Sequence, residues 1–256
     1  MRSLIMTAAA TLLASATFVL SATAGEVPKG AARNIDLVHG AFVDQTSWQP
    51  VADILVAKGY KVTLVENPLT SLAADVAATK KALAEQNGPT VLVGHSWGGV
   101  VITEAGNDPK VKSLVFVSAF APDVGESVAA LAKSGPATDG AKSIHPDDKG
   151  NLYLDQKTFP EFVAPELPLK IAEKLAANQM PLNHTAFEAP VDTAAWHVKP
   201  SYFVISTKDR VIAPQAQQMM AARIKAKVTE VPGSHASLVV FAKDVADVIE
   251  QAALAK

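Results

Sequence analysis

An apolar run, Thr90-Val91-Leu92-Val93, passes directly into Gly94-His95-Ser96-Trp97-Gly98-Gly99 and then into Val100-Val101-Ile102-Thr103-Glu104-Ala105, a stretch suited to a helix. Strand, G-x-S-x-G and helix in that order drives the chain through a sharp turn at the serine. Small residues two before and two after it leave room for the strained backbone. Ser96 is thereby thrust out at the end of a buried strand. The N–H of Trp97 points into the same space from a helix N-terminus, where developing negative charge is favoured. A buried strand feeding straight into a helix in this way belongs to a parallel sheet covered by helices.

The rest of the chain repeats that alternation. Residues 34–38, 61–65, 90–93, 111–120, 202–205 and 227–231 are β-branched or apolar runs that predict six strands. Between them, residues 46–58 predict a helix with Trp48, Val51 and Leu55 on one face and Gly59 as its stop. Ser71 caps a second helix carrying Leu72, Val76 and Leu83, closed by Gly88-Pro89. A further helix starts near Pro214, and a last one spans about residues 237–254. The expected architecture is α/β, a doubly wound and mostly parallel sheet.

One stretch interrupts the pattern. Residues 121–200 hold nine of the sixteen prolines, with a helical fragment at 168–177 and no core strand. Its apolar content, including Leu152, Phe159, Leu182, Phe187 and Trp196, is too high for a linker. An insertion leaving after the fourth strand and returning before the fifth sits above the strand ends where Ser96 lies. A cap or lid over about residues 122–197 is therefore expected.

Residues 1–24 read differently from the rest. Arg2, an apolar stretch over 4–20 and Ala22-Thr23-Ala24 form a positive region, a hydrophobic region and a cleavage site. They predict a leader, an exported protein in the periplasm or the medium, and one domain over 25–256 with no stable membrane insertion. With no cysteine in 256 residues, disulfides contribute nothing and the core must carry stability. A net charge of −2 with scattered Lys and Arg argues against nucleic-acid binding. No His, Asp and Glu cluster has metal-ligand spacing, so no metal is expected.

A serine is a weak nucleophile at neutral pH and needs a base, itself oriented by a third group. Of six histidines, only His235 stands on a loop right after a late strand, in Val231-Pro232-Gly233-Ser234-His235. The acid is expected between serine and histidine in chain order. Asp209 follows the fifth strand, and Asp123, after the fourth, is the alternative. The oxyanion of an acyl-transfer intermediate needs a second N–H besides that of Trp97. Ala41, in His39-Gly40-Ala41-Phe42 after the first strand, has the right place, with His39 a structural support for that loop. Phe42 and Trp97 are expected to line a substrate pocket, with Trp196 above it.

Ser96, Asp209, His235 and His39-Gly40 together resemble the α/β-hydrolase fold superfamily. More narrowly, His39-Gly40-Ala41-Phe42 through Ser47-Trp48, the Gly94-His95-Ser96-Trp97-Gly98-Gly99 turn and Gly233-Ser234-His235-Ala236 resemble bacterial relatives of plant methylesterases and hydroxynitrile lyases. The resemblance implies the last six strands of an eight-stranded sheet, and a cofactor-free serine hydrolase acting on small apolar esters. The lyase branch relies on a threonine and a lysine where this chain has Gly40 and Ala236, so hydrolysis is expected. Lyase-like or other C–C or lactone cleavage at the same site, and a non-catalytic binding protein, are the alternatives.

Overall fold

The computed structural model describes residues 25–255; the leader expected over residues 1–24 lies outside them. β1 (Asn34–Val38) leads through a 3-10 turn at Gln45–Trp48 into α1 (Gln49–Ala57). The helix expected over 46–58 therefore begins with a tighter turn. Pro50 has no N–H to bond the Thr46 carbonyl in α fashion, and the Gln49 N–H takes it instead. β2 (Lys61–Val65) is followed by α2 (Leu72–Ala84), whose cap Ser71 accepts the Ala74 N–H at 3.1 Å. Then come β3 (Thr90–His95), α3 (Gly98–Ala105) and β4 (Val111–Val117). β4 stops three residues short of the expected 120 because Ser118 turns to φ 45°, which ends extended pairing.

After β4 the chain makes α4 (Val128–Ser134), α5 (Asp139–Lys142), β5 (Ile144–Pro146), β6 (Asn151–Leu154), α6 (Phe159–Phe162), α7 (Leu169–Ala177), β7 (Leu182–Asn183) and α8 (His184–Glu188). Strands β5, β6 and β7 form a small antiparallel sheet of their own, too short for sequence periodicity to reveal. The main sheet resumes with β8 (Ser201–Ser206), α9 (Pro214–Arg223) and β9 (Lys227–Val231). The last helix is two, α10 (Ser237–Val240) and α11 (Ala242–Ala253), parted where Phe241 leaves helical backbone at φ −112°, ψ 37°.

The six long strands pair in parallel in the order β2-β1-β3-β4-β8-β9. Alternate side chains feed two cores, because successive residues of a strand point to opposite faces. Ile35, Leu37, Val91 and Val93 pack under α1 and α11, while Leu92, Leu114, Phe116 and Phe203 pack under α2, α3 and α9. Each fully buried aliphatic side chain contributes about 1.5–3 kcal/mol. Parallel pairing has a positional consequence. Val38 lies opposite Gly94, Val117 opposite Val204 and Ser206 opposite Val231, so the C-terminal ends of β1, β3, β8 and β9 share one edge. Since β2 lies beyond β1 and β3 lies on its other side, the strand order reverses between β1 and β3. Ligands in open α/β sheets gather at such a point. Among the described residues, no helix is long and apolar enough to cross a membrane.

Candidate active site

Ser96 sits at that reversal with φ 53°, a left-handed backbone rare for a residue with a side chain. The turn closes because glycines flank it. A Cβ on Gly94 would run into the Gly98 carbonyl, and one on Gly98 into the Val38 carbonyl. Ser96 N donates to Val117 O at 3.2 Å, tying the turn to β4.

The loops after β8 and β9 bring the two other sequence-predicted residues to it. The Ser96 hydroxyl donates to His235 Nε2 at 3.0 Å, and His235 Nδ1 donates to Asp209 Oδ2 at 2.8 Å. Asp209 is buried and its two oxygens accept four hydrogen bonds. Oδ1 takes the N–H groups of Val211 and Ile212; Oδ2 takes Gln217 Nε2, at 2.8 Å, besides the histidine. Gln217 escaped sequence reading. Its place, eight residues past Asp209 on α9, becomes meaningful only once the loop folds back on the helix. Asp123 stands elsewhere, bonded to His197 Nε2 at 2.8 Å on the surface. That hydrogen bond holds its carboxyl below the usual range.

Two more histidines flank the serine without joining the chain of proton partners. His39 donates from Nδ1 to the Gly40 carbonyl and accepts the Asn67 N–H at Nε2, so both nitrogens are engaged by the neutral ring. Burial depresses its pKa, in keeping with that form. His95 is fully enclosed and pushed well below the ordinary histidine value, first by burial and then by the neighbouring His235. Its neutral ring donates from Nε2 to the His235 carbonyl at 2.9 Å.

The backbone N–H groups of Ala41 and Trp97 make no hydrogen bond among the described residues, and both residues line the cavity that opens on Ser96. Phe42, next to Ala41, is held at φ 67° with its N–H on the Met180 carbonyl at 3.0 Å. Left-handed backbone at such a bulky residue costs on the order of 1–3 kcal/mol and clusters at working sites. The indole of Trp97 donates to Asp75 Oδ2 at 2.7 Å, and burial outweighs that bond to push the Asp75 pKa up to about 6.

Two apolar cavities flank the Ser96–His235 contact, sharing Ala41, Phe42 and Val211 as a partition. The larger, about 250 Å³, lies on the serine side and is walled by Trp97, Phe120, Leu131 and Phe187. The smaller, about 50 Å³, lies on the histidine side against Leu154, Phe159 and Ala236. Phe42 and Trp97 line the larger cavity, and Trp196 lies outside both. Its indole N–H donates to the Pro122 carbonyl at 2.8 Å and its ring stacks on His197, which fixes it in the stem of the inserted segment. Among the described residues no group of His, Asp and Glu side chains is placed to hold a metal ion.

The chain is similar to a probable hydrolase, R7, of a Phoma species, with 26% identity over 199 residues, 71% of this chain and 79% of that one. It is also similar to a carbendazim hydrolyzing esterase of a Nocardioides species, with 32% identity over 112 residues, 38% of this chain and 46% of that one. The crystal structure of a pyrethroid hydrolase from Sphingobium faniae superposes with a TM-score of 0.72, covering 86% of this chain and 96% of that one at 21% identity. A profile of the alpha/beta hydrolase family matches residues 37–248, and the chain belongs to that family.

Proposed function

We propose that this protein is a serine hydrolase that cleaves small, largely apolar carboxylic esters through an acyl-enzyme, with the segment between β4 and β8 as its cap. The observation that carries this reading is His235, bonded at one ring nitrogen to Ser96 and at the other to Asp209. The Nδ1 bond fixes the tautomer that leaves Nε2 free to accept a proton. Ser96 gives its proton to Nε2 as Oγ bonds the ester carbonyl carbon. The oxyanion is held by the Trp97 and Ala41 N–H groups, each such donor contributing about 3 kcal/mol. The intermediate collapses as the carbon–alkoxy bond breaks, and the departing oxygen takes the proton from His235. A water then repeats the sequence, attacking the acyl carbon while His235 takes its proton, and frees the acid and Ser96.

Because the leaving oxygen must meet His235, the alcohol belongs to the smaller cavity and the acyl group to the larger. At about 250 Å³ the acyl side lies below the roughly 300–1,000 Å³ of drug-sized sites, which supports a small ester. Relatives named as an esterase and a hydrolase support the reaction class. Lyase chemistry is disfavoured by two positions. A Cβ on Gly40 would stand 2.8 Å from Ser96 Cβ and 3.0 Å from His95 Nδ1, leaving no room for a threonine. Ala236 is buried in the apolar cluster with Phe159 and Val163, where a lysine has no place. Ser96→Ala should abolish turnover of p-nitrophenyl acetate with the melting temperature unchanged, and the parent protein should release cyanide from mandelonitrile no faster than buffer alone. Undiminished turnover in the variant would overturn the proposal.

A further inference from the structure

The loop that carries His235 is anchored on two sides. From the sheet half, Lys208 N donates to the Gly233 carbonyl at 3.0 Å and His95 Nε2 to the His235 carbonyl at 2.9 Å. The remaining anchors come from residues 163–166 of the inserted segment. Ala236 N and Ser234 Oγ both point at the Val163 carbonyl, each at 2.9 Å. The Glu166 carboxylate then clasps Ser234 twice, Oε1 on its N–H at 2.8 Å and Oε2 on its hydroxyl at 2.6 Å. Ser234 is buried, so its N–H finds no water in place of Glu166. Its hydroxyl carries one proton for two acceptors, and the shorter, charge-assisted contact is the one to the carboxylate.

We propose that Glu166 is a positioning residue for the reaction: by clasping Ser234 from the inserted segment it sets the His235 imidazole on Ser96. The inserted segment is then a strut for the base as well as a wall of the substrate cavity. Opening it would release the clasp, so the proton relay is complete only when the segment is seated. This inference rests on the serine-hydrolase reading above. Its energetic logic is geometric, since displacing a reacting group by about 1 Å costs up to about 100-fold in rate.

Three substitutions separate reach from charge. Glu166→Gln keeps the length: its carbonyl accepts the Ser234 N–H and its amide donates to the hydroxyl, which turns its own proton to Val163. Glu166→Asp keeps the charge but is one methylene too short. Glu166→Ala loses both. The test is kcat and KM on p-nitrophenyl butyrate, with the rate of covalent labelling by a fluorophosphonate and the melting temperature of each full-length variant. Glu166→Ala and Glu166→Asp should lose about 10- to 100-fold in kcat and in labelling rate, with KM within about threefold, while Glu166→Gln stays within about threefold of the parent. Labelling of Glu166→Ala at the parent rate would overturn the proposal. So would a Glu166→Gln protein as slow as the alanine variant, because charge rather than placement would then be at work. Loss in proportion to a lowered melting temperature, without rescue by glutamine, would reduce Glu166 to a structural role and overturn it as well. A parent protein that does not label, or labels equally as Ser96→Ala, would sink the hydrolase reading and this inference with it; the other outcomes touch Glu166 alone.

Discussion

The sheet half and the inserted half meet at Ser96 but are built by opposite means. On the sheet side two polar side chains beside Ser96 are buried and saturated: Asp209 accepts four hydrogen bonds, and His39 is bonded at both ring nitrogens. On the other side, strands of two to four residues and short helices present chiefly apolar walls, such as Leu131, Leu182 and Phe187. Fixed dipoles set how fast a bound ester reacts, and walls set which ester binds. Damage to the first half should therefore slow all esters alike, and damage to the second should reorder them.

The largest effect is expected from Asp209→Asn. The asparagine oxygen keeps the Val211 and Ile212 N–H groups, and its amide then faces Gln217 Nε2 and His235 Nδ1. The imidazole answers by moving its proton to Nε2, where it blocks acceptance from Ser96. A fall in kcat of about 10⁴ is expected, the same for acetate, butyrate and octanoate esters of p-nitrophenol. A loss confined to one chain length would break the division between the halves.

The second effect comes from the walls. Leu131→Trp on α4 fills part of the 250 Å³ cavity and leaves Ser96, His235 and the Ala41 and Trp97 N–H groups untouched. The ratio of kcat/KM for octanoate over acetate should fall by up to about 100-fold, while kcat on acetate holds within a few-fold. Equal slowing of both esters would mean that α4 supports the machinery rather than the selection.

The same division decides what the amino-acid sequence reveals. Ser96 is legible because its requirements are local: glycines two before and two after, a strand behind and a helix ahead. Asp209 and His235 are legible because a parallel sheet delivers every strand end to one edge, so a residue just past a late strand is already placed. Glu166 is not legible, for its partner Ser234 is 68 residues away and nothing at either position marks the pair. The place of Trp196 is not legible for a related reason. A buried indole N–H usually finds an acceptor, and the one Trp196 found, the Pro122 carbonyl, is known only from packing. β4 ends at Val117, where Ser118 turns to φ 45° and its hydroxyl meets those of Ser206 and Ser237, a junction of three distant segments.

The smallest expected effect separates the halves by pH. Burial pushes two carboxyls of the sheet half, Asp36 on β1 and Asp75 on α2, up to about 6. Hydrogen bonds hold three of the inserted half below the usual range: Asp139 by Arg210, Asp147 by the Asn151 N–H, and Asp155 by the Thr158 N–H. The signs are opposite. A carboxyl with a raised folded pKa binds its proton more tightly folded than unfolded, so its contribution is greatest in acid and is lost as pH rises from about 4 to 6. A carboxyl with a lowered folded pKa contributes above the ordinary carboxylate value and loses that as pH falls through its folded pKa. The sheet half should thus lose stability between about pH 4 and 6, a range over which the inserted half keeps its bonded carboxylates. Asp36 makes the test clean, since it lines neither of the cavities beside Ser96. Its Oδ1 accepts Gln86 Nε2 at 2.8 Å, while Asp36 Oδ2 and Gln86 Oε1 are both buried acceptors without a donor. Asp36→Asn removes the buried charge and supplies a donor, so it should stabilise by about 1–2 kcal/mol at pH 7.5, raising the melting temperature by about 2–8 °C. At pH 4, where Asp36 largely holds its proton folded and is close to its ordinary pKa unfolded, the two proteins should melt within about 2 °C of each other. A gain equal at both pH values would show that side-chain fit, not ionisation, is what Asp36 costs the fold.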